Sequence, residues 1–256
     1  MASNNYQFPN LANATKQGLY DPRFEHEACG VGLVADIEGR KSHSIITQGI
    51  EILTNLGHRG ASGADAATGD GAGMLIQIPH EFFVQKCRKL DINLPGQGNY
   101  GIGTIFLSQD ASHVATCQQI VERIVSEQGQ LFLGWRNVPT KPGAIGTLAN
   151  KVRPTILQFF VGRSNDLPID YPFELKLYVI RRLIEKKFDS SSTTENKDLY
   201  VCSLSSKQIV YKGLIMANQL MEFYPDINDE LMVTSFALVH SRFSTNTLGS
   251  WKLAPP

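Results

Sequence analysis

The chain lacks any apolar run long enough to cross a bilayer, so a helical membrane span is not expected and a soluble globular protein is. It also lacks net charge. Its 24 Lys and Arg balance 24 Asp and Glu, so no global field draws it toward nucleic acid, and small-molecule chemistry becomes the expectation. The four cysteines, at positions 29, 87, 117 and 202, contain no Cys-x-x-Cys pair, which argues against a disulfide framework or a zinc site and for a reducing compartment. The six histidines, at 26, 43, 58, 80, 113 and 240, show no metal-ligand spacing, so no metal is expected. No Gly-Lys-Ser/Thr follows Gly71-Ala72-Gly73 and no Gly-x-Gly-x-x-Gly opens a helical pattern, which disfavours a nucleotide loop.

What is present fits one large domain of mixed helix and strand: 256 residues, 42% hydrophobic and 19% charged. Residues 1–28 carry neither a secretory nor a transit-peptide pattern and no sustained period. They read as an irregular leader, either an N-terminal arm or a propeptide ending at Ala28. Cys29 to Asp36 has the apolar, Gly-containing look of a buried strand, with a turn at Glu38-Gly39. The period then changes. From Ser44 to Leu56, Ile45, Ile46, Gly49, Ile50 and Leu53 recur at helical spacing, with Ser42 or Ser44 as N-cap and Gly57 as stop.

From Gly57 to Gly73, both included, the chain carries six glycines, a density found where a loop surrounds a ligand or another backbone. Strands are expected at 74–78, 101–108, 131–135 and 154–162. Helices are expected over 80–90, with Phe83, Cys87 and Leu90 inward, and after Asp110, ending at Gly129. A further helix spans 172–188 with Phe173, Leu177, Ile180, Leu183 and Ile184 inward, and residues 190–197 form a polar loop. Residues 199–203 and 208–211 read as a hairpin across a Ser-Lys turn. A last apolar strand, 232–240, delivers the polar cluster Ser241-Arg242-Phe243-Ser244-Thr245-Asn246-Thr247. Hairpin-like strands mixed with helices favour layered sheets over a strict β-α-β alternation.

Four stretches together are specific: EHEACGVGLVAD (25–36), LGHRGASGADAATGDGAGMLIQIP (56–79), IVYKGL (209–214) and HSRFSTNT with the following Trp251. In these the chain resembles the amidotransferase part of the glutamate synthases, in the class II glutamine amidotransferase family. The resemblance implies an α+β fold, the four-layer αββα sandwich of N-terminal-nucleophile hydrolases. It also implies cleavage between Ala28 and Cys29, with residues 29–256 forming the amidotransferase domain and Cys29 the nucleophile that hydrolyses L-glutamine. Arg242 is then expected to hold the glutamine α-carboxylate, with Phe243, Thr245 and Asn246 lining the pocket. Arg59 is expected to support the nucleophile loop, and Gly30 to keep space open beside Cys29. FMN and an iron–sulfur cluster are expected only in downstream synthase domains, and the location in the cytoplasm or a plastid stroma.

The sequence departs from the family pattern at one point. The His-Asn-Gly-Glu motif that supplies oxyanion donors does not occur in it, so the domain is expected to be incomplete on its C-terminal side. Loss of an oxyanion donor typically lowers turnover by about 10²–10³-fold. A catalytically silent glutamine-binding or interaction module is therefore the alternative reading. Taken without its context, Cys29 would be a packed core thiol, as Cys87, Cys117 and Cys202 are expected to be. A Cys-His protease is disfavoured because no Asn or Asp is singled out to orient His58 or His240.

Overall fold

The computed structural model describes residues 30–59, 65–167, 172–189, 199–242 and 249–254. Eight strands form two antiparallel four-stranded sheets. The first is ordered β1 (Val31–Ala35), β8 (Phe236–Ser241), β2 (Ala72–Gln77), β7 (Gln208–Gly213). The second is ordered β4 (Leu131–Asn137), β5 (Thr155–Gly162), β3 (Tyr100–Leu107), β6 (Tyr200–Ser205). Helix α1 (His43–Asn55) covers the outer face of the first sheet, and α3 (Ala111–Glu127) with α5 (Phe173–Asp189) covers the second. The expected α+β sandwich of two stacked sheets between helical layers is what the chain forms.

Strand periodicity sorts the core. On β5, Ile156 and Phe160 face the first sheet, whereas Leu157, Phe159 and Val161 face α3 and α5. Helix α2 (His80–Arg88) inserts Phe82 and Phe83 between the sheets, with Phe83 edge-on to Phe160 at 5.8 Å. Two shorter helices, α4 (Thr147–Lys151) and α6 (Leu220–Phe223), sit in stretches whose sequence gave no period to read.

Caps behave as their chemistry dictates. Asp110 accepts hydrogen bonds from the Ser112 and His113 N–H groups at the start of α3, and Gly129, at φ +67°, follows its end. At α1 the expected stop differs: after Asn55 the chain tightens into a 3₁₀ turn, Leu56–Arg59, that runs through Gly57.

Four expectations need correction. Residues 199–203 and 208–211 are not a hairpin: β6 pairs with β3 and β7 with β2, in different sheets. The turn between them is held by the Glu174 carboxylate of α5, which accepts hydrogen bonds from Ser206 N and Oγ and from Ser205 Oγ, and it carries the chain across the sandwich. Strand β1 is not buried. It is an edge strand whose Val31 and Leu33 are 45% and 62% exposed, because β8 is its one pairing partner among the described residues. Leu90 and Leu183 are also exposed. A left-handed Asp91 (φ +56°) turns the chain away just after α2, and Leu183 lies at the rim of the α5 stripe. Residues 190–197 lie outside the described residues.

One polar group ties the layers internally. Arg136 on β4 makes a two-pronged ion pair with Asp226, 2.9 Å from Nη1 and 2.7 Å from Nη2, both side chains being almost fully buried. Gln158 Oε1 also accepts from Arg136 Nη1 at 2.7 Å, and Tyr211 of the opposite sheet donates its hydroxyl to Asp226 at 3.0 Å. The buried pair therefore links both sheets to the 3₁₀ turn Pro225–Asn228.

Candidate active site

Strand β8 lies between β1 and β2, with His240 opposite both Val31 and Gly73 and Ser241 opposite Ala72. As β8 ends, its backbone is handed to both neighbours. Ser241 N donates to the Gly30 carbonyl at 2.8 Å, and Arg242 N donates to the Gly71 carbonyl at 2.8 Å. Three separate sequence motifs thus converge within two residues of one strand end. Gly71 has φ +135°, and a Cβ there would lie 2.9 Å from Ala254 Cβ, so both its conformation and its neighbour require glycine.

The convergence opens onto a cleft of about 390 Å³ lined by Thr54, Asp70, Gly71, Met216, Asn218 and Arg242, among others. Its volume suits a small polar molecule. Arg242 Nη1 lies 3.4 Å from the Leu253 carbonyl, a long contact that steadies the guanidinium.

The walls are held by side chains that bond to main chain. Gln219 accepts from Met216 N and donates to the Ala67 carbonyl, each at 2.8 Å, and so clips the 215–219 wall to the glycine loop. Asp65 accepts from Ala67 N at 3.0 Å, Leu148 N at 3.2 Å and Thr68 Oγ1 at 3.0 Å. These donors, the Ala67 N–H foremost, hold its carboxyl below the usual carboxylate range. His58 Nδ1 sits 2.9 Å from the Asn55 carbonyl, a local bond of the kind expected of a loop-orienting residue. Burial lowers the His240 pKa, and the Arg242 charge lowers it further, so this imidazole favours its neutral form.

Of the residues singled out from sequence, Gly30 and Arg242 meet here. Arg59 ends the 3₁₀ turn after α1, and its side chain lies outside the described residues, as do Cys29, Phe243, Thr245 and Asn246. Asp70, Asn218 and Gln219 escaped the sequence reading. The Gly-Asp-Gly triplet around Asp70 was a usable signal for the first, whereas nothing periodic marks the other two.

The three remaining thiols are unsuited to nucleophilic work. Cys87, Cys117 and Cys202 are all buried, and burial pushes the thiols of Cys87 and Cys202 up to about 12 and about 11. Among the described residues no three His, Cys, Asp or Glu side chains cluster so as to hold a metal ion, and no helix is long and apolar enough to cross a membrane.

Comparison with known proteins gives this cleft a context. The chain is 48% identical over 240 residues to a protein named glutamate synthase [NADPH] large chain from Bacillus subtilis, covering 94% of this chain and 15% of that protein. It is 42% identical over 250 residues to the large chain of the same name from Azospirillum brasilense, covering 96% and 16%. It is 40% identical over 250 residues to glutamate synthase [NADH] of Saccharomyces cerevisiae, covering 94% and 11%. The chain thus spans less than a fifth of the length of these relatives. A family profile described as glutamine amidotransferases class-II matches residues 29–256. With its N-terminal motif, glycine loop and arginine motif joined at one strand end, the chain belongs to the class-II glutamine amidotransferases.

Proposed function

We propose that this domain hydrolyses L-glutamine to glutamate and ammonia through a glutamyl thioester on Cys29, as the amidotransferase part of a glutamate synthase. The observation that carries the reading is the pair of backbone bonds at the end of β8, Ser241 N to Gly30 and Arg242 N to Gly71. They bring the peptide unit next to Cys29 in sequence and the site arginine to one strand end, beside the cleft that Ser241 and Arg242 line.

In this reading the leader ends at Ala28, and residues 29–256 are the functional domain. Freed from Ala28, the α-amino group of Cys29, with an ordinary pKa of about 7.7–8.0, takes the proton from its own thiol. The thiolate attacks the glutamine side-chain carbonyl. Collapse of the tetrahedral intermediate expels ammonia, which leaves with that proton, and water then cleaves the thioester to glutamate. The Arg242 guanidinium matches the fork geometry of the substrate α-carboxylate, and Phe243, Thr245 and Asn246 line the remainder of the pocket. Arg59 supports the loop beside the nucleophile. The ammonia passes to synthase domains, and FMN and iron–sulfur chemistry belong to those domains.

The test follows the nucleophile directly. A γ-diazoketone analogue of glutamine should alkylate Cys29 in the processed protein, glutamine should protect against it, and intact mass should report a chain beginning at residue 29. Labelling that persists after Cys29→Ala, or that glutamine does not slow, overturns the assignment. Glutamine binding without any thioester or ammonia release would instead support a silent binding module.

A further inference from the structure

The short segment Gly249–Ala254 lies over the core as a strap, and nothing in the chemistry above uses it. Trp251 and Ala254 point inward and are almost fully buried, whereas Lys252 and Leu253 between them are exposed. Ser250 closes the strap on itself, its carbonyl accepting from Leu253 N at 3.1 Å and from Ala254 N at 3.0 Å. The two inward residues reach different places. Ala254 seats against Gly71, the residue whose carbonyl holds Arg242 N, while the Leu253 carbonyl faces Arg242 Nη1. Trp251 runs the other way. Its indole N–H donates to the Ala149 carbonyl at 3.1 Å, and its ring packs edge-on to Phe106 and tilted on Phe223. Space for the ring is left by Gly213 of β7, where a Cβ would lie 2.5 Å from Trp251 Cζ3. The neighbouring Lys212 Nζ bonds the Lys252 carbonyl at 3.3 Å.

We propose that Trp251 is a positioning residue for substrate binding: by anchoring this strap in the core between the sheets, it sets the place of the Arg242 guanidinium and of the Gly71 carbonyl beneath it. The inference rests on the reading that Arg242 holds the glutamine α-carboxylate. Leu253 O and Gly71 O both reach Arg242 from the backbone, so where the strap and the loop lie bears directly on the place of the arginine. Among the described residues, Trp251 and Ala254 are the buried side chains of the strap, and Ala254 is the end that touches the site. Removing the indole N–H while keeping an aromatic ring should therefore move the strap without emptying the core.

The conservative variant Trp251→Phe supplies that change, with circular dichroism to show that the fold is kept. Glutamine affinity, measured by calorimetry in a Cys29→Ala background so that nothing turns over, should weaken about three- to tenfold, the range expected from loss of one neutral hydrogen bond. Paired with Arg242→Ala, the tryptophan change should have no further effect, because the group it positions is gone. In kinetics KM should rise with kcat nearly unchanged. An independent readout covers the case in which the Cys29→Ala protein binds no glutamine: phenylglyoxal modification of Arg242, followed by peptide mass, should speed up several-fold in Trp251→Phe. Absence of glutamine binding with faster modification would fail the functional reading alone. Unchanged modification of Arg242, or losses in affinity that simply add in the double variant, would overturn the positioning role.

Discussion

Replacing Asp226 by alanine isolates the buried ion pair that joins the two sheets. The substitution strips Arg136 of both carboxylate bonds and leaves its guanidinium, 5% exposed, facing the Gln158 side-chain oxygen and the rings of Phe82 and Phe83, and it removes the acceptor of the Tyr211 hydroxyl. Breaking one side of a buried pair costs about 3–5 kcal/mol, because the other charge stays in the interior, and an unpaired hydroxyl adds about 1 kcal/mol. Against a total stability of about 5–15 kcal/mol this is a large fraction. Urea unfolding followed by circular dichroism should show the loss, and the melting temperature should fall by about 8–24 °C. The double variant Arg136→Met with Asp226→Leu removes the stranded charge and should recover at least about 2 kcal/mol of it. A single-variant cost under about 1 kcal/mol would refute the reasoning, since it would mean that the guanidinium is not held in a dry interior. Because the turn bearing Asp226 follows the 215–219 wall, the same variant should also loosen the cleft, seen as faster amide exchange at residues 215–219.

Two further predictions concern titration and thiols. His240 has a lowered pKa in the folded chain, so above the ordinary value near 6.5 it is neutral in both states and contributes nothing to pH dependence. As pH falls below 6.5 the unfolded chain binds the proton first and stability is lost, so between about pH 7 and about pH 5 the wild type should lose more stability than His240→Gln. Iodoacetamide at about pH 7.5 should leave Cys87, Cys117 and Cys202 unmodified until the protein is unfolded, and peptide mapping that finds one of them alkylated in the native state would contradict their burial.

The long helices were legible because each announces its period: Cys117, Val121, Ile124 and Val125 on α3, and Leu177, Ile180 and Ile184 on α5, recur at three- and four-residue steps and are buried in one cluster. The sheet partners were not. Leu199–Ser203 and Gln208–Tyr211 look like a hairpin because strand runs so close together usually pair, yet which sheet each joins is decided by β2 and β3, far away in sequence. The same limit hid the interior ion pair. Arg136 and Asp226 are charged residues in unremarkable local contexts, and only the fold reveals that each is the other's reason for being buried. At the site, the motifs singled out Gly30 and Arg242, and the end of β8 bonds to the first through Ser241 N and continues into the second. Gln219, whose work is to bond the distant Ala67 carbonyl, carried no such signal.

The crossing from β6 to β7 also orders assembly. Two residues, Ser206 and Lys207, separate the strands, so docking one sheet on the other at this corner closes almost no loop and loses little chain entropy. Pairing β1 with β8 is the opposite case, because Val31 and His240 lie far apart in the sequence and their union closes the longest loop between paired strands among the described residues. The sandwich can therefore nucleate at its Glu174-held corner while the first and last strands are still apart. The cleft, walled by Asp70 and Gly71, by Met216 and Asn218 and by Ser241 and Arg242, draws together stretches far apart in sequence, so a ligand that fills it stabilises long-range contacts.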